Sequence, residues 1–262
     1  MAGPQPGFPK PARLPSLARM CTVKVPARSG LSLAVAVVLT LGGCRVPASA
    51  PPMPEASVKP GINTEYLKPD VDAAQWIERF EREGREIFDQ RARIVEAAGL
   101  RPGLRVADIG AGSGLFTLLF AERVGPRGEV VAVDIVPAFL EQIRQRAAAA
   151  GFKNVRTVRA TERSVELPPR SVDLAFVCDT YHHFEYPRHT LASLHRALKP
   201  GGELVLVEFR RVPGESSDWV LNHVRAGEAV FTAEIEAAGF KKVGRADFLR
   251  ENYLIRFRKV GK

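Results

Sequence analysis

Apolar residues after position 100 fall into short runs of strand length, and these runs alternate with longer segments of helical periodicity. Short apolar runs bounded by turn residues predict buried strands, and apolar positions three or four apart predict amphipathic helices. We expect strands at 104–109, 129–134, 155–159, 172–178, 203–209, 240–247 and 253–258. We expect helices at 114–124, 137–150, 188–198 and 232–238, and one long or two short amphipathic helices within 72–98, interrupted by Gly84.

Strands that alternate with helices of this length imply right-handed crossovers and a mostly parallel sheet with helices on both faces. The last two strands are rich in Arg and Lys and predict an antiparallel hairpin at the sheet edge. The expected fold class is therefore α/β, with a Rossmann-like sheet of seven strands.

The first 60 residues have a different composition, because they hold 11 of the 20 prolines and the first acidic residue is Glu55. Basic Lys24 and Arg28 precede an apolar run at 31–41, which small residues follow. In a helix this run rises about 17 Å, less than the ~30 Å hydrocarbon core of a bilayer. The pattern is typical of a secretory signal peptide.

The end of this segment, Leu41-Gly-Gly-Cys44, resembles a bacterial lipobox. The resemblance implies lipidation of Cys44, and Arg45 after it favours the outer membrane. We expect a signal peptide at 1–43, a Pro-rich tether at 44–70 and a folded domain at 71–262, on the periplasmic side of a membrane. The alternative is a cytoplasmic protein whose N-terminal segment is not a leader.

Composition excludes several classes of protein. The 262 residues are 45% hydrophobic and 26% charged, which is ordinary for a globular chain. The net charge of +9 depends largely on five basic residues before position 44, since without them 33 basic residues face 29 acids. Nucleic-acid binding is therefore not indicated. The three cysteines lack the spacing of a zinc site or of a disulfide framework, so neither kind of scaffold is expected.

A glycine-rich turn follows the first predicted strand and carries the candidate chemistry. Gly110, Gly112 and Gly114 allow a sharp bend and a close approach of a ligand to the backbone. The third glycine comes one residue earlier than in a dinucleotide-binding fingerprint. Asp108 adds a carboxylate, which suits a ligand with cationic groups better than a pyrophosphate. Asp134 ends the second strand, where a carboxylate can accept both hydroxyls of a ribose.

Four segments in order resemble the motifs of class I S-adenosylmethionine-dependent methyltransferases. They are Val-Ala-Asp-Ile-Gly-Ala-Gly-Ser-Gly at 106–114, Val-Val-Ala-Val-Asp-Ile at 130–135, Ser-Val-Asp-Leu-Ala-Phe-Val at 171–177 and Leu-Lys-Pro-Gly-Gly-Glu-Leu-Val-Leu-Val-Glu at 198–208. The resemblance covers roughly residues 75–258. It implies the class I methyltransferase fold, methyltransferase activity and S-adenosylmethionine as the cofactor.

The resemblance also implies which residues bind the cofactor. The glycines would approach its methionine part, Asp108 its amino group and Asp134 its ribose. After the third strand, relatives often carry an acid that contacts adenine, but this chain has Arg159-Ala-Thr-Glu162, so the acid is displaced. The full set of expected cofactor residues is Asp108, Gly110, Ala111, Gly112, Gly114, Asp134, Ile135, Thr161, Glu162 and Asp179.

The fourth strand ends at Cys178, and ligands bind at the carboxyl ends of strands in such sheets. His182 or His183 is the candidate general base, with Asp179 or Tyr181 to orient it. A packing role for either histidine is an equal alternative. A metal site is not expected, because the histidines at 182, 183, 189 and 195 do not share one helix face.

The segment after the fifth strand holds the candidate substrate contacts Trp219, His223 and Arg225, although a plain packing loop is equally consistent with it. The helix with Phe80, Arg85 and Phe88 is expected to cover the cofactor. The expected acceptor is a small molecule, with no nucleic-acid partner and with a membrane contact through Cys44. The competing hypothesis is a ligand-binding lipoprotein that keeps this fold without catalysis, and fold alone does not decide between them.

Overall fold

A computed structural model describes residues 55–261 of the chain. The predicted signal peptide, Cys44 and the first part of the predicted tether lie outside these residues.

The described part of the chain builds one seven-stranded sheet in the order β3-β2-β1-β4-β5-β7-β6. Strands β1 to β5 are parallel, and β7 runs antiparallel to both β5 and β6. The expected fold class and the antiparallel edge hairpin are confirmed. The strands are β1 Arg105–Ile109, β2 Glu129–Asp134, β3 Val155–Arg159, β4 Val172–Cys178, β5 Leu198–Phe209, β6 Phe240–Ala246 and β7 Asn252–Lys259.

Eight α-helices accompany this sheet within residues 55–261. They are α1 Ala73–Phe80, α2 Glu86–Asp89, α3 Arg91–Ala97, α4 Leu115–Val124, α5 Pro137–Ala149, α6 Pro187–Ala197, α7 Asp218–His223 and α8 Glu228–Ala237. The segment at 72–98 forms three helices, which break around Gly84 and again at Gln90. The structure also contains α7, which starts at the N-cap Ser217 in the segment that had no predicted element.

The parallel strands are buried on both faces, which explains their nearly continuous apolar sequences. In β2, Val131 and Val133 belong to the apolar cluster on one face of the sheet, whereas Val130 belongs to the cluster on the other face. Helices cover both clusters, and the carboxyl ends of β1, β2 and β4 are left to form a site. Among the described residues, no helix combines the length and apolar character needed to cross a bilayer.

Residues 55–67, called the N-terminal strap below, pack on the domain instead of extending from it. The Glu55 carboxylate accepts the backbone N–H groups of Arg188 and His189 at the start of α6. The Val58 N–H donates to the Glu185 carbonyl at 2.9 Å. The folded part therefore includes residues 55–67, upstream of the boundary at 71 predicted from composition. Polar contacts of this kind leave no hydrophobic periodicity in the sequence.

Candidate active site

The three glycines of the loop between β1 and α4 have positive φ angles, and each meets a different neighbour. A Cβ on Gly110 would lie 2.2 Å from the Thr180 side chain, so this glycine lets the loop after β4 approach. A Cβ on Gly112 would lie 3.3 Å from the Phe80 ring, and one on Gly114 would lie 2.8 Å from Ile143. Gly114 therefore permits packing of α4 against α5.

Asp134 stands at the end of β2 with both carboxylate oxygens engaged. Oδ2 accepts the Gly112 N–H and Oδ1 accepts the Val136 N–H, both at 2.9 Å. Burial raises the pKa of Asp134 to about 6, although these backbone hydrogen bonds act in the opposite direction. A carboxylate has about four acceptor positions. Acceptor capacity therefore remains for further donors.

Asp108 is buried on β1 and accepts a hydrogen bond from the Thr117 hydroxyl at 2.6 Å. Burial raises the pKa of Asp108 to about 7, and the charge of Asp134 adds to this effect. Its proton therefore binds within the neutral range in the ligand-free protein, and a cationic ligand group nearby stabilises the charged form.

A cleft opens above the glycine loop and has a volume of about 1130 Å³ when counted to its open mouth. Nine of the ten expected cofactor residues line it, and Gly114 is the exception. Phe80 and Arg85 line the cleft as expected for a cover, whereas Phe88 packs against Arg91 instead. The nine lining residues are Asp108, Gly110, Ala111, Gly112, Asp134, Ile135, Thr161, Glu162 and Asp179.

Aromatic side chains from the strap and two helices cover this cleft. Tyr66 lies 4.5 Å from Trp76 between ring centroids, and Phe80 lies 6.2 Å from Phe139. These four residues, the aromatic cover, pack on Val136 at the end of β2. An apolar cover of this kind excludes water from a bound ligand.

Asp179 follows β4 in the left-handed region, with φ of 46°. Its carboxylate accepts from the Arg85 guanidinium and from Nδ2 of Asn252 at 2.6 Å. Burial raises the pKa of Asp179, and Arg85 partly offsets this effect. Left-handed backbone outside glycine is uncommon, and it persists where surrounding contacts hold it, as at many functional sites.

His182 is buried beside Glu208, a residue at the end of β5 that the sequence reasoning did not select. Nδ1 of His182 lies 2.9 Å from both carboxylate oxygens. The same carboxylate accepts the backbone N–H groups of His182 and Phe209. This carboxylate holds the ring so that Nε2 is its free nitrogen.

His183 and His223 come together although 40 residues separate them in sequence. Their Nε2 atoms are 3.4 Å apart, and His223 stacks on Trp219 with ring centroids 4.6 Å apart. Nδ1 of His183 lies 3.1 Å from the side-chain oxygen of Asn63 in the strap. Burial lowers the pKa of His183 to about 2 and that of His223 to about 4. Both rings are neutral at pH 7.

Two expected site residues point elsewhere. Tyr181 is fully buried, and its hydroxyl donates to Glu234 of α8 at 2.8 Å instead of to either histidine. Arg225 binds the same Glu234 carboxylate with both terminal nitrogens. The structure thus assigns Tyr181 and Arg225 to one packing network beneath α8. The expected orienting role of Tyr181 and substrate role of Arg225 do not match these contacts.

The remaining histidines lie apart from this group. His189 faces Glu55, and His195 contacts the Val260 carbonyl. The four histidines considered in the sequence are therefore not assembled, whereas His182, His183 and His223 are. Asn63, Glu208 and Asn252 were missed. Only Glu208 left a signal, since an acid ends an otherwise apolar strand.

Known proteins resemble this chain over the same elements. Residues 106–202 match the family described as "Methyltransferase domain". The ubiquinone/menaquinone biosynthesis C-methyltransferase UbiE of Ectopseudomonas mendocina (strain ymp) is 38% identical over 46% of this chain and 47% of its own length. The protein of that name from Shewanella sp. (strain W3-18-1) is 33% identical over 46% of this chain and 49% of its own. The chain thus spans about half the length of these relatives.

Residues 106–202, which include the glycine loop, Asp134 and the two histidines after β4, thus match a methyltransferase domain. The fold of the chain also resembles that of the crystallised S-adenosylmethionine-dependent methyltransferase from Aquifex aeolicus. The TM-score is 0.65 and the identity 24%, over 72% of this chain and all of the other. These comparisons agree with the predicted methyltransferase family over residues 106–202 and with S-adenosylmethionine as the cofactor, whereas the predicted lipoprotein signal stays a prediction.

The cleft residues fit S-adenosylmethionine. Asp134 keeps acceptor capacity beyond its backbone hydrogen bonds, which suits the ribose hydroxyls of the cofactor. Gly112 leaves space between the loop and Phe80. Asp108 supplies a carboxylate on the wall of the cleft for the amino group. When bound there, the cofactor supplies an electrophilic methyl group on a positively charged sulfur.

Proposed function

We propose that the protein transfers the methyl group of S-adenosylmethionine to a small-molecule acceptor. The observation that supports this most directly is the position of the histidine cluster, defined as His182, His183 and His223, beside the cofactor cleft. His183 of this cluster lines the cleft, and so does Asn63, whose side-chain oxygen is bonded to Nδ1 of His183. An acceptor next to the histidines therefore lies at the carboxyl edge of the sheet, where such folds bind ligands.

Methyl transfer needs alignment more than strong acid or base. An electron pair of the acceptor, either an oxygen lone pair or the π pair at a ring carbon, forms the new bond to the methyl carbon. The sulfur–carbon bond breaks at the same time, and its electron pair stays on sulfur. The products are the methylated acceptor, S-adenosylhomocysteine and the proton that the acceptor loses. Positioning two reactants in one water-excluded cleft supplies much of the rate enhancement in reactions of this kind. Arg85 and Asn252 hold Asp179 at the cleft edge, and the aromatic cover closes it.

The acceptor class that these observations favour is a ring with a hydroxyl group. The relatives are named for C-methylation in ubiquinone and menaquinone biosynthesis. A hydroxylated ring offers either oxygen or an adjacent carbon as nucleophile. The apolar and aromatic side chains that line the cleft, among them Tyr66, Phe80 and Phe139, are suited to such a flat molecule.

Calorimetric titration of the full chain with S-adenosylmethionine tests the cofactor site. We expect binding to the native chain and at least about tenfold weaker binding by Asp134→Ala, since two hydrogen-bond acceptors for the ribose are lost. Asp173→Ala is the matched control, because Asp173 also accepts a backbone N–H, from Arg105, but at the opposite end of the sheet. Equal affinities of the two variants would contradict the assignment.

Incubation with isotopically labelled methyl donor and a panel of hydroxylated rings, quinols included, tests catalysis. Mass spectrometry should detect a labelled acceptor. Cofactor binding without any labelled product across cell extracts would favour the alternative of a binding protein that has lost its chemistry.

We further propose that the protein is exported and held at a membrane by a lipid on Cys44. The supporting observations are the apolar run at 31–41 and the Gly-Gly-Cys sequence after it. Metabolic labelling with a fatty acid should mark the native chain but not Cys44→Ser. Absence of label from both chains would leave a cytoplasmic location as the alternative.

A further inference from the structure

The histidine cluster joins residues from two separate parts of the fold. His182 and His183 lie in a 3₁₀ turn after β4, and His223 ends α7. Each ring offers one nitrogen to a common point, and these three nitrogens all lie within 4.8 Å of one another. The cluster therefore brings ring nitrogens from two parts of the chain close enough to share one ligand.

The opposite nitrogens of two rings are held by acceptors. Nδ1 of His182 donates to Glu208, and Nδ1 of His183 donates to the side-chain oxygen of Asn63. Asn63 also donates through Nδ2 to the His183 carbonyl at 3.0 Å, which fixes its amide orientation. A carboxylate or carbonyl behind the ring is the usual support of a metal-binding histidine, because it sets the tautomer and raises the basicity of the ligand nitrogen.

One pair of these nitrogens already has the spacing of metal ligands. Tetrahedral zinc with Zn–N bonds of about 2.0–2.1 Å places two ligand nitrogens about 3.3 Å apart. The Nε2 atoms of His183 and His223 are 3.4 Å apart. Three imidazole nitrogens favour zinc and neighbouring transition metals over Mg²⁺ or Ca²⁺, which prefer oxygen ligands.

The geometry points to a binding site for one divalent transition-metal ion, zinc in the first instance, with His182, His183 and His223 as ligands and Glu208 and Asn63 as their supports. Three protein ligands leave a coordination position for water or a substrate atom, as in catalytic rather than structural zinc sites. His183 places this position next to the cleft. The ammonium of Lys59 is bound to the His223 carbonyl. Its positive charge repels the metal ion and lowers the affinity of the site for it.

The metal site also bears on the identity of the acceptor, and this step of the inference rests on the proposed methyl transfer. A hydroxyl group at the open position is acidified by the ion, so its oxygen or a conjugated carbon becomes a better nucleophile. Hydroxylated rings are thus favoured over amines.

Zinc binding by the full chain tests the site directly. After treatment with a chelator and removal of the chelator, the protein is dialysed against Zn²⁺ and its metal content is measured. A parallel sample receives Co²⁺, whose visible absorption distinguishes tetrahedral from octahedral coordination. We expect one equivalent of either metal and a tetrahedral cobalt spectrum.

Two variants, each with a matched control, distinguish binding at the histidine cluster from binding by adventitious ligands. His223→Phe preserves ring stacking on Trp219 and should bind at least about tenfold more weakly, whereas exposed His189→Phe should bind as the native chain does. Asn63→Ala removes only a support and should also weaken binding about tenfold, while Asn63→Asp keeps the acceptor oxygen. If His223→Phe does not fold, the Asn63 pair decides.

Failure of the native chain to bind one equivalent, or equal affinity in native chain, His223→Phe and Asn63→Ala, would overturn the site. Calorimetry of the metal-free protein with S-adenosylmethionine is independent of this result. A chain that binds zinc but not the cofactor would keep the metal site and overturn the proposed function.

Discussion

The glycine side of the cleft and the histidine cluster beside it are assembled over different distances in the sequence. The glycine loop, Asp108 and Asp134 come from residues 108–134, a single β-loop-α-β unit. The histidine cluster needs the strap, the turn after β4, the end of β5 and α7, which span residues 59–223. Cofactor binding is therefore local in this fold, whereas the chemistry beside it depends on long-range packing.

The largest expected effect lies on the glycine side. Gly110→Ala places a Cβ against Thr180 at a left-handed φ of 67°, and we expect a loss of about 4 kcal/mol from overpacking and backbone strain together. Urea unfolding measures it. Gly201→Ala is the matched control, because its φ is 73° with nothing within 4 Å of the Cβ, so only about 1 kcal/mol should be lost. Similar losses in both variants would show that Thr180 moves aside.

The second prediction concerns the long-range side. Glu208→Gln replaces one acceptor oxygen of a fully buried carboxylate by an NH₂ group that faces N–H donors. We expect it to lower the free energy of unfolding by about 3 kcal/mol. Glu203→Gln, on the same strand, loses pairs with Arg256 and Arg258 near the surface and should cost about 1 kcal/mol or less. A smaller loss for Glu208→Gln than for Glu203→Gln would contradict a rigid support for His182.

A third prediction uses pH to sharpen the comparison. The pKa of Asp108 is near 4 in the unfolded chain and is raised to about 7 in the folded protein. The stability that Asp108 contributes is therefore fully present below pH 4 and is lost as the pH rises through 7. Asp108→Asn keeps an acceptor for Thr117 without the buried charge. Without cofactor, the variant should therefore be more stable than the native chain at pH 8, by about 1.4 kcal/mol for each unit by which folding raises the pKa of Asp108. Denaturation at pH 8 and pH 4 measures this difference, which should nearly vanish at the lower pH.

The smallest expected effect is that of Asn63→Ala, about 1 kcal/mol of stability from the two hydrogen bonds to His183. Hydrogen exchange should show faster opening of the strap, while affinity for S-adenosylmethionine changes less than in Asp134→Ala. A greater loss of cofactor affinity in Asn63→Ala would mean that the two regions are not separable.

The same difference in separation along the chain explains which parts of the fold and of the site could be predicted from the sequence. The strands and the helices around them were predictable because parallel strands carry continuous apolar runs, and glycines with Asp134 mark the turns between them. Gly114 was predicted to approach the cofactor, but its neighbour is Ile143 of α5, a contact that spacing does not reveal.

The histidine cluster was only half predictable. His182 and His183 stood out at the end of β4, and His223 was selected as a substrate contact. Their convergence depends on α7, a helix of six residues whose pattern is too short to recognise. Asn63 lay in a segment interpreted as a tether, because polar contacts leave no periodic signal. Tyr181 adjoins the histidines in sequence but turns into the core beneath α8.

The N-terminal strap joins both sides of this comparison. Lys59 and Asn63 bind the histidine side, and a few residues later Tyr66 enters the aromatic cover over the cofactor cleft. Mechanical tension on the chain upstream of residue 55 would therefore reach both ligand sites through one short stretch of backbone. A protease cut within the strap would uncouple them, and the rate of cleavage would report on whether either site is filled.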